Sequence, residues 1–247
     1  MNYWNIVRNV VEEADIVIEI VDARFPQQSR NNDLERLAHA KGKKILIILN
    51  KSDLVSRKKL AEAKKGFEYP AIFVSTKDRK GKTRIKKTLG MLSEKKDVKV
   101  AICGYPNTGK SSIANMLRGK KSSRTSSTAG FTKGKQAVRL SSKIMLIDTP
   151  GIIPLNEHDE TLMVMLSAKN PQHLKDIEGT GLEIGKILLE NNKEKLLKYY
   201  EIEAKDEEEL LEQIALKRNK MRKGNIPDTN SAAMLLINDF QKGKIGL

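Results

Sequence analysis

Short aliphatic runs alternate with amphipathic stretches over the first part of the chain. Four of these runs are rich in Ile and Val and are short enough to be buried strands, at 15–23, 44–50, 71–76 and 98–104. Between them, apolar residues recur at helical spacing at 31–42, 54–67 and 82–96. Strands that alternate with helices predict a mostly parallel sheet that is covered by helices on both faces.

Two further segments extend this pattern. Trp4, Val7, Val11 and Ala14 recur at helical spacing and predict an opening helix that packs on the sheet. Further along, two apolar runs follow each other almost directly, at 136–142 and 143–150. Such close spacing predicts an antiparallel hairpin.

The character of the sequence changes after Pro154. Glu, Leu and Lys dominate from there, the β-branched runs disappear, and the spacing fits helices. We therefore predict an α/β domain of the phosphate-loop NTPase class at 1–153, followed by a small all-helical C-terminal domain at 154–247.

The segment GYPNTGKS, Gly104 to Ser111, matches the phosphate-loop pattern G-x-x-x-x-G-K-[ST]. It follows an apolar strand and opens a helix, which is the context that the motif requires. Backbone N–H groups of such a loop surround phosphate oxygens, Lys110 supplies a positive charge, and the Ser111 hydroxyl can bind Mg²⁺. The expected nucleotide contacts are Gly104, Tyr105, Pro106, Asn107, Thr108, Gly109, Lys110, Ser111 and Ser112.

The segment NKSD, Asn50 to Asp53, follows another buried strand. The Asp53 carboxylate can accept hydrogen bonds from N1–H and the 2-amino group of guanine, and adenine has neither donor there. Asn50 would bind the purine and tether the loop, while the Lys51 stem would cover the base. Taken alone, NKSD could equally be a helix cap on a charged loop.

Two shorter motifs also follow strands. Ser75, Thr76 and Lys77 come where a second base-contacting loop is expected. In DTPG, Asp148 would hold Mg²⁺ through water, and the Gly151 N–H would contact the γ-phosphate. All four motifs lie at carboxyl ends of strands, where open α/β sheets bind their ligands.

Together these motifs resemble the TRAFAC GTPases, but here NKSD and STK precede the phosphate loop. That order is similar to the circularly permuted GTPases, specifically the YlqF/RbgA-type ribosome-assembly group. VDARFP at 21–26 resembles that group's DARxP stretch, AGFT at 129–132 resembles its switch segment, and 223–246 resembles its terminal segment.

The resemblance implies GTP hydrolysis with Mg²⁺ bound by Ser111, Thr132 and Asp148. Lys110, Thr132, Gly151 and Asn107 would be the catalytic residues. Ile152 stands where Ras-like enzymes place a water-orienting Gln, so turnover should be slow. Asn107 resembles the asparagine of potassium-dependent GTPases, which implies bound K⁺; the alternative is that Asn107 only stabilises the turn.

The positive charge of the chain is concentrated in its first part. The net charge is +15 over 247 residues. Residues 1–153 hold 32 Lys and Arg against 14 acidic residues, a net +18, whereas 154–247 carry a net −3. Such a field favours a polyanion such as RNA, although a lysine-rich surface of the thermophile type is an alternative. Basic patches without interleaved aromatics favour contacts with the RNA backbone, at 79–87, 118–124 and 217–223. For each patch taken singly, a solvated charged face is the alternative.

The sequence therefore predicts a GTP- and GDP-binding factor that acts in large-ribosomal-subunit assembly through rRNA. The alternatives are a signalling or RNA-modification GTPase with a protein partner, and a nucleotide-gated scaffold with negligible turnover. A single cysteine, Cys103, and an acidic N-terminal stretch without an apolar core favour a cytoplasmic location. The longest apolar run, 45–49, is too short to span a bilayer, so we expect no membrane partner, and no DNA partner.

Overall fold

The structure is a computed structural model that describes residues 3–93, 95–118, 137–139, 143–148 and 159–247. The chain forms two compact units, residues 1–156 and residues 157–247, which we call the N-terminal and C-terminal units. Among the described residues, no helix combines the length and the apolar character needed to cross a lipid bilayer.

A six-stranded sheet forms the centre of the N-terminal unit, in the spatial order β3-β2-β1-β4-β6-β5. Its strands are β1 (Ile16–Asp22), β2 (Lys44–Asn50), β3 (Ala71–Phe73), β4 (Val98–Gly104), β5 (Ala137–Arg139) and β6 (Ile144–Asp148). Every neighbouring pair is parallel except β5 and β6, which are antiparallel. The mostly parallel sheet and the hairpin predicted from the sequence are thereby confirmed.

Within the described residues, five helices cover the two faces of this sheet. The first three pack on one face: α1 (Tyr3–Glu13), α2 (Asn32–Ala40) and α3 (Arg57–Lys65). The other face is covered by α4 (Lys82–Leu92) and α5 (Lys110–Arg118). This arrangement follows from alternation along β1, where Val17 and Val21 face the first layer and Ile18 and Ile20 face the second.

One polar side chain interrupts the aliphatic interior of β1. Glu19 is fully buried, and its Oε1 accepts the Asn31 backbone N–H at 2.6 Å. Burial, together with the nearby charge of Glu35, raises the pKa of Glu19 well above 4.5. The folded structure therefore favours the neutral form of this carboxyl group more than water does.

Strand β3 is shorter than the run at 71–76 predicts. It ends at Phe73, although Val74 N still donates to Leu49 O at 2.9 Å. Ser75 then leaves β2 and forms an isolated antiparallel bridge with Lys80. The prediction of a strand through residue 76 was wrong because the Ser75 side chain makes a contact outside the sheet, described below.

The C-terminal unit is mainly helical. Its helices are α6 (Glu160–Met165), α7 (Ile177–Tyr200), α8 (Glu207–Lys217) and α9 (Thr229–Gln241). A short hairpin, β7 (Met221–Arg222) with β8 (Ile226–Pro227), joins α8 to α9. Its turn uses Gly224 and Asn225 at positive φ, 86° and 60°, conformations that these residue types tolerate best.

Each of these four helices begins at an aspartate whose side chain accepts a backbone N–H of the first turn. Such caps satisfy donors that the helix itself leaves unpaired. The caps are Asp159, Asp176, Asp206 and Asp228. Part of the acidity of this unit therefore serves its own helices.

Candidate nucleotide site

Three neighbouring strands end at one edge of the sheet and carry the residues of the site. In the registers of β1 with its two neighbours, Asp22 lies opposite Asn50, and Ile20 lies opposite Gly104. The NKSD segment follows β2, and the phosphate loop follows β4. Strand β1 lies between them, so its end separates the two loops.

The phosphate loop turns through conformations that favour glycine. Gly104 has φ +141° and Gly109 has φ +101°. A Cβ at Gly104 would collide with the Ile20 carbonyl of β1, so only glycine fits there. Asn107 is also left-handed, with φ 58°, and is exposed on the loop.

A carbonyl inside the loop receives two side-chain donors. The Tyr105 carbonyl oxygen accepts from Thr108 Oγ1 at 2.9 Å and from Lys110 Nζ at 2.6 Å. Thr108 and Tyr105 are buried, and Lys110 is nearly so. The lysine is thus held over the loop by the loop's own backbone.

Helix α5 starts at Lys110, so its first-turn amides lie directly after the loop. A helix amino terminus carries partial positive charge and unpaired N–H groups, which together favour a phosphate. Ser111 and Ser112 are exposed in this first turn. The loop, the lysine and the helix end form a cradle whose chemistry suits a polyphosphate.

A buried hydrogen bond connects the NKSD segment to the phosphate loop. Asn50 Nδ2 donates to the Thr108 carbonyl at 2.8 Å, and both residues are buried. A Cβ at Gly109 would run into the same Asn50 amide. Asn50 therefore crosses the end of β1 and fixes the distance between the two loops.

Ser75 holds the carboxylate that the sequence assigns to guanine. Ser75 Oγ donates to Asp53 Oδ1 at 2.7 Å, and it accepts the Asp78 N–H at 3.0 Å. Asp53 lies in a short 3-10 helix, Ser52–Leu54. Thr76 is half-buried and Lys77 is exposed beside this group. The structure thus brings NKSD and STK together.

Asp22 of β1 lies beneath the NKSD segment in a buried ionic cluster. Its Oδ2 accepts from Lys51 Nζ at 2.8 Å and from Arg24 Nη2 at 2.7 Å, and its Oδ1 accepts from Arg24 Nε at 3.0 Å. Burial opposes ionisation, but the charges of Arg24 and Lys51 prevail and lower the pKa of Asp22 to about 2. Sequence reasoning gave Asp22 and Arg24 no role, although the charged residues directly after a buried strand were a signal.

The residues expected to bind Mg²⁺ are only partly described. Asp148 is the last residue of β6, and its Cα pairs with Ile102 on β4. Thr132 and Gly151 lie outside the described residues. No group of three or more His, Cys, Asp or Glu that could hold a metal occurs in the part of the chain that the structure describes. The exposed Ser111 hydroxyl is an oxygen ligand that suits Mg²⁺, an ion that proteins usually bind through one or two side chains together with nucleotide phosphates.

The fold and the site define a class of protein. A phosphate loop follows β4, whereas the segments assigned to the base follow β2 and β3, earlier in the chain. This is the arrangement of a circularly permuted phosphate-loop GTPase.

Comparisons with known proteins identify the family. A family model described as RsgA GTPase matches residues 4–157, and one described as 50S ribosome-binding GTPase matches residues 99–217. The chain belongs to the RsgA GTPase family, as a circularly permuted GTPase of the YlqF type.

Relatives and solved structures agree with this. The chain is 37% identical to an uncharacterized GTP-binding protein of Methanocaldococcus jannaschii, over 97% of this chain and 65% of that protein. It is 34% identical to nucleolar GTP-binding protein 2 of Schizosaccharomyces pombe, over 98% of this chain and 47% of that protein. The structure of GNP-bound YlqF from T. maritima superposes with a TM-score of 0.70 at 26% identity, covering 98% of this chain and 94% of that one. The chain thus spans about half to two thirds of the length of these curated relatives.

Proposed function

We propose that this protein binds GTP and GDP, hydrolyses GTP slowly, and acts as a nucleotide-gated factor in the assembly of the large ribosomal subunit through rRNA. The proposal that the protein binds a nucleotide is supported above all by one hydrogen bond. It joins Asn50 of the NKSD segment to the Thr108 carbonyl of the phosphate loop and is 2.8 Å long. It holds a purine-reading carboxylate and a phosphate cradle in one fixed arrangement, as a nucleoside polyphosphate requires.

Guanine preference should depend on Asp53. An Asp53→Asn protein should lose its preference for GDP and gain affinity for xanthosine diphosphate, because an amide can donate to the 2-oxo group of xanthine. The asparagine can still accept from Ser75 Oγ, so the loop should keep its shape. Competition binding with GDP, ADP and xanthosine diphosphate measures this, with Asp33→Asn on α2 as a surface control. Equal affinity of the unmodified protein for GDP and ADP would refute the assignment.

Hydrolysis should require Mg²⁺ held by Ser111, Asp148 and Thr132, with the γ-phosphate contacted by Lys110 and Gly151. We further propose that Asn107 helps to bind a K⁺ ion that offsets charge developing on the phosphates. Its left-handed backbone, φ 58°, places it on the exposed part of the loop.

Rates in K⁺ and in Na⁺ test this proposal. We expect single-turnover hydrolysis to be faster in K⁺, and the difference to disappear in Asn107→Ala. Equal rates in the two salts, or a potassium effect that survives the substitution, would restrict Asn107 to a structural part in the turn.

The proposed partner follows from charge. The edge strand β3 is flanked by α3 and by the segment 77–87, which leads into α4. Residues 57–65 and 77–87, which we call the basic ridge, contain twelve Lys and Arg and two acidic residues. Within the described residues, Lys80 pairs with Asp78, and the cations of the ridge other than Lys59 and Lys80 form no ion pair. One bound nucleotide needs few cations, so this ridge suits an RNA backbone.

Cosedimentation with large-subunit particles tests the partner and the gate together. Because DTPG directly precedes the C-terminal unit in sequence, binding should be tighter with a non-hydrolysable GTP analogue than with GDP. Lys64→Glu with Lys87→Glu on the ridge should weaken binding with either nucleotide. The control is a double variant outside the ridge, Lys96→Glu with Lys99→Glu, which changes the net charge by the same amount. If the affinity for large-subunit particles changes neither with the bound nucleotide nor with the salt concentration, the proposal is refuted.

A further inference from the structure

Asp22 occupies the one strand end that lies between the two nucleotide loops. Strand β1 pairs with β2 on one side and with β4 on the other. The Asp22 carboxylate faces Lys51, which follows β2, and the backbone N–H of the next residue, Ala23, donates to the Asn50 carbonyl at 2.8 Å. The end of β1 is therefore bonded directly to the start of the base-reading segment.

The carboxylate is shared by two cations that have little access to water. The side chains of Asp22 and Arg24 are 0% exposed, and that of Lys51 is 19% exposed. Without the carboxylate, a guanidinium and an ammonium would lie close together in a buried place. Two like charges repel each other more strongly in a buried place than in water, so the segment that carries Lys51 would have to move.

Lys51 is held in an unusual backbone conformation. It is left-handed, with φ 61°, which costs free energy for a residue with a long side chain. It directly precedes the 3-10 helix that contains Asp53. The bond from Lys51 Nζ to Asp22 Oδ2, 2.8 Å long, therefore anchors the residue that directly precedes the helix.

Two roles of Asp22 can be separated. Its bonds to Arg24 stabilise the loop after β1, which Ser29 also holds by donating from Oγ to the Phe25 carbonyl at 2.7 Å. The bond to Lys51 is instead directed at the base-reading segment. A purely structural aspartate would act only in the first way.

We propose that Asp22 is a positioning residue that, through Lys51, places Asp53 for recognition of the guanine base. This inference rests on the proposed function, because it assumes that the protein binds guanine nucleotides. It assigns the conspicuous VDARFP segment a role in base selectivity.

The test compares GDP with inosine diphosphate, which lacks the 2-amino group and so loses one of the two bonds to Asp53. Affinities are measured for the unmodified protein, Asp22→Asn, Lys51→Met and the double variant. Asp22→Asn should weaken GDP binding at least tenfold and weaken inosine diphosphate binding less, so the ratio of the two affinities falls. Lys51→Met keeps the Asp22–Arg24 pair and should lower the same ratio even if Asp22→Asn folds poorly.

The double variant and a matched control complete the experiment. In the Lys51→Met background, Asp22→Asn should lower the melting temperature, because it weakens the bonds to Arg24, but it should not change the ratio further. Asp15→Asn removes a more exposed Asp–Lys pair, to Lys95 at 2.6 Å, before the other end of β1 and should leave the ratio unchanged. An unchanged ratio in Asp22→Asn, or an equal fall with and without Lys51, would overturn the inference. Failure of the unmodified protein to prefer GDP over ADP would instead refute the proposed function.

Discussion

Replacing Asn50 by alanine should weaken both the fold of the N-terminal unit and its affinity for nucleotide. The substitution removes the bond from Asn50 Nδ2 to the Thr108 carbonyl, 2.8 Å long and buried. A buried carbonyl left without its donor costs about 1–3 kcal/mol. Asn50 Oδ1 is itself buried without a hydrogen-bond partner among the described residues, and alanine also removes that group. The net loss should therefore be about 1–2 kcal/mol.

Urea unfolding and GDP titration measure the two effects. If the bridge sets the loop geometry that the nucleotide requires, the Kd for GDP should rise roughly 5- to 30-fold, which corresponds to the same free energy. Asn50→Asp should be worse, because an acceptor would then face the carbonyl. Asn238→Ala is the control, since Asn238 Nδ2 also donates to a backbone carbonyl, that of Met234, at 2.8 Å. Unchanged GDP affinity in Asn50→Ala would refute the view that this bridge joins the two halves of the site.

Three further outcomes follow from individual contacts. Lys110→Ala should abolish tight nucleotide binding while far-UV circular dichroism still shows a cooperative melt, because the ammonium lies over the phosphate loop, where it donates to the Tyr105 carbonyl, and not in the apolar core. Loss of the cooperative melt would instead show that the lysine is structural. For Glu19, whose pKa is raised, the folded state keeps a proton that the unfolded chain releases above about pH 4.5, so its contribution to stability falls as pH rises. The melting temperature of Glu19→Gln minus that of the unmodified protein should therefore increase from pH 5 to pH 8. A difference that stays constant over this range would contradict the prediction. Gly181→Ala should lower the unfolding free energy of the C-terminal unit by about 1–3 kcal/mol, because the new Cβ would meet Ala233 where α7 crosses α9; an unchanged urea midpoint would show that the helices can separate at little cost.

The sheet was predictable because its strands are buried on both faces. Continuous apolar runs mark β1, β2 and β4, and the helical stretches between them require parallel pairing. The phosphate loop and NKSD could likewise be located, since each is a contiguous segment. The end of β3 could not, because the position of Ser75 depends on Asp53, which lies 22 residues earlier in the chain.

The contact between Asp22 and Lys51 could not be predicted from the sequence, for the same physical reason. Its contact with Lys51 joins residues 29 positions apart, and it exists only because β1 and β2 are neighbours in register. The four aspartates that begin the C-terminal helices show the opposite case. Capping is local, so an aspartate ahead of an apolar-periodic stretch could have been interpreted as a helix start rather than as general acidity.

The order of strands in the sheet has a consequence for biosynthesis. β1, β2 and β3 leave the translating ribosome before β4, yet β1 is central in the sheet and pairs with β4 on its second side. Until residues 98–104 emerge, the growing chain presents an unpaired edge of a mostly apolar strand. Exposed edges of this kind invite pairing with other chains, so the nascent protein has an interval in which chaperone protection matters most.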